Sequence, residues 1–285
     1  VYVRVQPGDI TGDGTLVAAE RLNMDLSSDL KNSGTIAGRS VMRLSADNVN
    51  NLNGRLQAAD STITAKTDIN NTGGVISAND RLQLNAGRDI NVTTTTSSGS
   101  TAAGAGVYER TAIDRVAGLY VSNPGGTLVA SAGRDINLTA AVVQNLGAGG
   151  STVLDAKRDL NLASVQTRES SNITFDAKNY SRFSASQEVG TRIQTTGNVA
   201  LRAGQDITTR AATVNSTEGT TAITAGRDVN LTAGQSSLAQ SNATFTTGRG
   251  FLSKSSKEDR SSSESTNAQA SQVGGAQIII SAGRD

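Results

Sequence analysis

The chain has no histidine and no cysteine among its 285 residues. The first absence removes imidazole acid–base catalysis. The second removes thiol nucleophiles and disulfides. Together they remove the usual ligands of zinc and iron–sulfur sites. Tryptophan is missing too, aromatic residues make up 3% and proline occurs twice. A compact globule of this length usually buries several large rings, so this interior must be built from Val, Ile, Leu and Ala. Lys plus Arg number 26 against 25 Asp plus Glu, a net charge of +1. With no basic cluster, no nucleic-acid partner is expected. No apolar run approaches the ~18 residues of a membrane span. The N-terminal VYVRV shows neither an initiator Met nor a signal-peptide layout, and the C-terminal IIISAGRD stops inside a recurring motif. The chain therefore reads as a piece of something longer.

What is present is glycine, 30 residues of it. One group sits in GDITGDGTLVAAE, which nearly fits a twelve-residue calcium loop. Asp9 would be position 1, Asp13 position 5, Gly14 the sharp turn and Glu20 the bidentate carboxylate, with Thr11 the one departure. Yet Gly14, Gly34, Gly54 and Gly74 are spaced by 20, and each is followed two places later by Leu16, Ile36, Leu56 or Ile76. The glycine and the apolar residue are then already explained by a repeat. Asn32, Asn53 and Asn71 precede the later glycines as residues that tolerate turn geometry. A one-residue slip later in each unit is expected to fall at a turn.

A second motif begins at residue 86: AGRDINV (86–92), AGRDINL (132–138), AKRDLNL (156–162), AGQDITT (203–209), AGRDVNL (225–231) and AGRD (282–285). Short steps of 22–24 alternate with steps about twice as long, so every second motif lies 69–71 residues on from 86 to 156, from 132 to 203 and from 156 to 225. Around each motif the apolar residues alternate. Leu128, Ala130 and Ala132 precede one corner, and Ile136 and Leu138 follow it. This is strand, turn, strand with one apolar face. Gly-Arg-Asp makes the corner, since Gly permits unusual backbone angles and Asp bonds locally.

Units of 20–24 residues, three short strands each and a small aliphatic interior specify an all-β fold: a single-stranded right-handed parallel β-helix (solenoid) with loop or strand excursions. Residues 1–13 form a lead-in, 14–93 regular 20-residue coils, and 94–285 AGRD-type coils. About ten to twelve coils stacked ~4.8 Å apart would give a rod on the order of 50 Å. Three segments leave the regular step, near 94–125, 165–196 and 233–276, and are expected to be surface loops or irregular coils. They hold most of the aromatics, including Phe175, Tyr180, Phe183, Phe245 and Phe251. Ser-rich 253–272 is expected to be mobile, because its composition cannot bury enough apolar surface. The functional reading of the excursions is a partner-contact strip on a rigid scaffold. The recurring Arg88/Asp89, Arg134/Asp135, Arg158/Asp159 and Arg227/Asp228 read as solvated corners with weak ion pairing. Asn91, Asn137, Asn161 and Asn230 are expected to stack. No catalytic, cofactor-binding or metal residue is assigned.

The SAGRDINLTA, TAGRDVNLTAG and SAGRD stretches, with NSGTIAG and NNTGGVISA, resemble the haemagglutinin repeats of the filamentous haemagglutinin family over almost all of 14–285. A 20-residue array leading into AGRD repeats is most similar to the second repeat region of contact-dependent growth inhibition effectors. The resemblance implies a secreted β-helical stalk at a Gram-negative cell surface or outer membrane. It implies a two-partner-secretion outer-membrane transporter as partner during export, and the target-cell outer membrane or surface as a further contact. The stalk would present or deliver a C-terminal toxin to neighbouring bacteria, act without enzymatic activity and be a monomer. The alternative is the stalk of an adhesin. A polysaccharide-active β-helix enzyme would need clustered carboxylates in a groove, whereas here the acids are spread along the coils. A membrane-inserting segment would need apolar strands of ~9–11 residues, and no such set is evident.

Overall fold

The computed structural model describes residues 16–284, and each regular element it shows is a β-strand. Asp9, Asp13 and Gly14 of the calcium-like loop lie outside the described residues. Glu20 lies in the first strand, Leu16–Asp25, where Arg39 Nε reaches its carboxylate at 3.3 Å.

The chain winds as a parallel β-solenoid. Eight short strands form one sheet, from Leu30–Asn32 through Ile90–Thr93 and Ile136–Thr139 to Val229–Thr232. The remaining faces make up a 14-stranded sheet that forks at Val75–Ala86. Gly118–Val121 pairs with the first half of that strand and Thr127–Ala132 with the second half. Alternation decides which side chains enter the interior: in Thr127–Ala132 each second residue, Leu128, Ala130 and Ala132, is buried. Successive coils place like on like. Ile90, Ile136, Leu160 and Ile207 stand in one column, all fully buried. Each such side chain contributes roughly 1.5–3 kcal/mol by leaving water. The narrow interior has room for aliphatic side chains, which explains the scarcity of rings.

Three expectations change. The 20-residue phase does not begin at Leu16, which pairs with Thr35, whereas Val17 pairs with Ile36. The expected slip lies inside the strands as a bulge, between Ala37 and Val41 and between Ala58 and Asp60. A bulge adds one residue to one strand and bends it, so Thr35–Ala46, Arg55–Ala65 and Val75–Ala86 turn a corner without breaking. Among the described residues the short sheet has eight strands and the larger sheet nine levels, fewer than ten to twelve coils, because the excursions build a separate sheet.

The glycine period has an interior cause. Asn32 donates to Asn51 Oδ1 and Asn51 donates to Asn71 Oδ1, each at 2.7 Å. Asn51 and Asn71 are fully buried. Asn51 also donates to Gly54 O at 3.0 Å, and Asn71 to Gly74 O at 2.9 Å. A Cβ at Gly54 would overlap the Asn32 and Asn51 amides, and one at Gly74 the Asn51 and Asn71 amides. The ladder satisfies polar groups that would otherwise be costly to bury, and glycine makes space for it. Of the three asparagines read as turn residues, only Asn53 is one, with φ 59°.

Candidate functional site

One corner of the solenoid does two different things. Directly after a short strand, Asn53, Gly73, Ala140 and Ala211 take left-handed φ values of 59°, 61°, 47° and 50° and turn the chain into the next strand. In the intervening coils the same position is Thr94, Ser164 or Ala233, and there a hairpin leaves the rod. The first hairpin is Thr95–Ala103 with Gly106–Arg115, the second Val165–Thr174 with Tyr180–Val189, and the third Gly234–Arg249 with Lys254–Gln269. The three join edge to edge into a six-stranded antiparallel sheet.

The alternation of short and long steps follows from spacing. Coils stack about 4.8 Å apart and antiparallel strands pair at about the same distance. A hairpin is two strands wide, so hairpins from every second coil abut without gap or overlap. The fin keeps step with the rod.

Ser-rich 254–269 is therefore not a mobile loop. It is a strand paired along its full length with Gly234–Arg249. The main-chain ladder and the template strand order it, and neither requires apolar burial. The other excursions are likewise strands, not loops.

Hydroxyl groups and one carboxylate fasten the hairpins at their bases. Thr94 Oγ1 donates to Ala140 O at 2.6 Å. Thr191 Oγ1 lies 2.7 Å from Leu138 O, and Ser271 Oγ donates to Thr232 O at 2.7 Å. Glu188, 8% exposed, receives Arg210 Nε at 2.6 Å and Nη2 at 2.5 Å, Ser164 Oγ at 2.5 Å and the Gln235 amide at 3.1 Å. It thus ties the second hairpin to the start of the third and both to the rod. The hydrogen bond from Arg210 holds its carboxyl below the usual carboxylate range, against the opposing effect of burial.

The fin is a single layer open on both faces. Cross-strand partners share a face, so Glu109, Ser170, Ser184, Ala239 and Glu264 form one row. A parallel row contains Asn172, Arg182 and Ser241. Between them runs a groove of about 600 Å³ across the strands. Among the described residues, Arg168 and Arg182 in its walls have no ion pair, and Arg182 lies 4.4 Å from the Tyr180 ring centroid. Phe175, Phe251 and Leu252 stand at the hairpin tips, 74%, 101% and 93% exposed. Lys178 caps Phe245 at 4.1 Å.

The rod's arginines are engaged differently. Each corner Arg makes a bidentate contact to the Asp one coil earlier: Arg88 to Asp68, Arg134 to Asp89, Arg158 to Asp135, Arg227 to Asp206 and Arg284 to Asp228. The adjacent pair, by contrast, sits at 3.7 Å for Arg88 and Asp89. Asp89 also accepts the Asp135 amide at 3.2 Å. Burial pushes the Asp89 carboxyl up, but the Arg134 and Asp135 hydrogen bonds outweigh it and hold the carboxyl low. Weak contacts within the corner are present, at 3.6 Å for Arg134 and Asp135 and 3.3 Å for Arg158 and Asp159, but the stronger feature is a coil-to-coil ladder of charge-assisted bonds that the corner reading missed. Its gap is Gln205, which leaves Asp159 with the Asp206 amide in place of a second Arg. An Asn ladder runs beside it, Asn50–Asn70–Asn91–Asn137–Asn161 at 2.8–2.9 Å per step. Thr208 separates Asn230 from it.

Among the described residues no group of three or more His, Cys, Asp or Glu could hold a metal ion. What the geometry defines is a β-solenoid rod with a lateral antiparallel sheet. The family model described as Hemagglutinin repeat matches residues 120–180. Over 124 residues the chain is 32% identical to Toxin CdiA of Yersinia pestis, an alignment covering 42% of this chain and 4% of that protein. No solved structure matches the chain significantly. The two matches support a likeness to the repeat regions of filamentous haemagglutinin and CdiA-type proteins, and the chain spans a small fraction of the relative's length.

Proposed function

We propose that this segment is a non-enzymatic stalk of a two-partner-secreted exoprotein at the surface of a Gram-negative cell. It holds and helps deliver a C-terminal toxin to neighbouring bacteria. The observation that carries this reading is the combination of the coil-to-coil ladder with the likeness to Toxin CdiA. Within the rod each coil contacts only its neighbours, so coils can form in order as the chain leaves an outer-membrane transporter. Lack of cysteine keeps the chain free of premature bridges. The fin is the part that meets the target cell. Its exposed tip residues Phe175, Phe251 and Leu252 suit an apolar or interfacial surface.

Hydrolysis of a polysaccharide has no support in the site. Paired glycosidase carboxylates stand roughly 5–10 Å apart. Glu109 and Glu264 end a row that crosses four strand spacings, about 19 Å along the sheet.

The test replaces all three hairpins in the parent exoprotein with the short corner used at Ala140, leaving the rod continuous. Surface display, read by protease accessibility on intact cells, is expected to persist, while growth inhibition of co-cultured target cells is lost. Undiminished inhibition would remove the fin from delivery. Loss of cell adhesion from a parent that inhibits no neighbour would make this an adhesin stalk.

A further inference from the structure

The fin has two outer edges, and they differ in chemistry. Lys254–Gln269 carries Lys254, Lys257, Glu258, Asp259, Arg260 and Glu264. Charges on an edge strand deter pairing with another chain. The opposite edge, Thr95–Ala103, reads TTSSGSTAA and has no charge and no proline. Thr96 to Ala103 are exposed. One side of this strand pairs with Gly106–Arg115. Among the described residues no strand pairs with the other. Its outward main-chain N–H and C=O groups are a template for one more strand.

The sequence of that edge matches itself about Gly99. In an antiparallel pair of two such strands centred there, Ser98 lies opposite Ser100, Ser97 opposite Thr101 and Thr96 opposite Ala102. Each pair is small, and the Ser and Thr hydroxyls are suited to cross-strand hydrogen bonds. A twofold axis demands this self-complementarity, because the same patch must serve both subunits. No bulky or charged side chain interferes, and Gly99 itself has open space around it. We infer that the free edge of Thr95–Ala103 pairs with the same strand of a second copy of this chain, joining two fins into one continuous sheet about Gly99. This replaces the expectation of a monomer.

Gly99 provides the test. Its φ is outside the left-handed region and a Cβ there meets nothing within 4 Å, so a side chain is compatible with the single fin. Glycine also weakens a strand interior, so replacing it does not endanger the fold. In the paired state Gly99→Lys or Gly99→Glu places two like charges opposite each other on the axis. Sedimentation velocity of the intact chain across a concentration series is expected to show a monomer–dimer equilibrium. Each variant alone should raise the dissociation constant by about fivefold or more. An equimolar mixture of the two should restore association, since Lys then faces Glu. A wild-type chain monomeric at all concentrations would overturn the inference. So would a dimer that both variants leave unchanged, since its interface would then lie elsewhere.

Discussion

In the rod, Leu138 is fully buried and stacks against the coils on either side, whereas in the fin Leu238 is 46% exposed on a sheet with no second layer. Both regions are ladders of main-chain hydrogen bonds with the same strand spacing. The rod adds a closed apolar interior, a buried amide ladder and a bidentate Arg–Asp ladder. The fin adds almost none of these: its faces are rich in Ser, Thr, Asn and Gln with scattered apolar and charged groups, and Arg168 and Arg182 have no ion pair among the described residues. Backbone pairing is thus enough to give a sheet its shape, and interior packing decides how firmly it holds. The rod supports itself, and the fin depends on the rod to bring its hairpins into step.

The sharpest break of that dependence removes residues 165–190 and sets Ser164→Gly, so that the middle hairpin becomes a short corner. The rod is expected to keep its main cooperative unfolding transition. The first and third hairpins are left without their shared neighbour, and isolated hairpins are marginal in water. Hydrogen exchange should show their amides losing most of their protection while the rod amides retain theirs. Loss of the rod transition together with the fin would refute the asymmetry.

A milder probe compares two leucines. Leu138→Ala is expected to lower unfolding stability by about 2–5 kcal/mol, the range for a buried cavity. Leu238→Ala should cost under about 1 kcal/mol, since a half-exposed side chain has less to lose. Urea denaturation of the two variants measures the difference, and equal losses would mean the fin is packed against something.

The smallest expected effect is at the junction. Glu188→Gln keeps the shape but removes the charge that Arg210 grips. About 1–2 kcal/mol should be lost, allowing for solvent screening at the half-exposed Arg210. The loss should be confined to protection at the bases of the second and third hairpins. The same contact predicts a pH effect. The Glu188 carboxyl titrates lower folded than unfolded, so its stabilisation is fully present above the unfolded value. It is lost as pH falls through the folded one. Acid should therefore loosen the fin bases in the native protein and leave the Gln variant little changed there. The rod's Asp89 and Asp206, also held low, set a separate acid limit for the coils.

The rod was legible because its forces are local and periodic. Leu128, Ala130, Ile136 and Leu138 announce themselves by alternation, and all four are buried. The Gly-Arg-Asp corner and most of the Asn stack follow from the same period. What the period hides is which coil a side chain answers to. Arg134 stands next to Asp135 in the chain but grips Asp89, because the coil step brings the earlier corner within reach of its guanidinium. Asn32 and Asn71 look like turn residues, and only the register shows them facing inward. The fin was least legible. A Ser-rich run carries no apolar signal, and its strand character comes from its hairpin partner Gly234–Arg249, itself laid against the hairpin of the coil two steps below. The clue was arithmetic, the regular doubling of every other step between motifs. Glu188 had no sequence signal, since its partners at 164, 210 and 235 come together only when the hairpins close.

The matched spacing of rod and fin has a bearing on how such a chain can lengthen. Losing or gaining one coil would put a short corner where the sheet needs a hairpin, or set two hairpins at neighbouring levels where there is room for one strand each. Within the hairpin-bearing coils, only an even number preserves both lattices. The unit that recombination can duplicate or excise there without damage is therefore a pair of turns with one hairpin, close to seventy residues of sequence, and changes in the length of the fin-bearing part should come in that quantum.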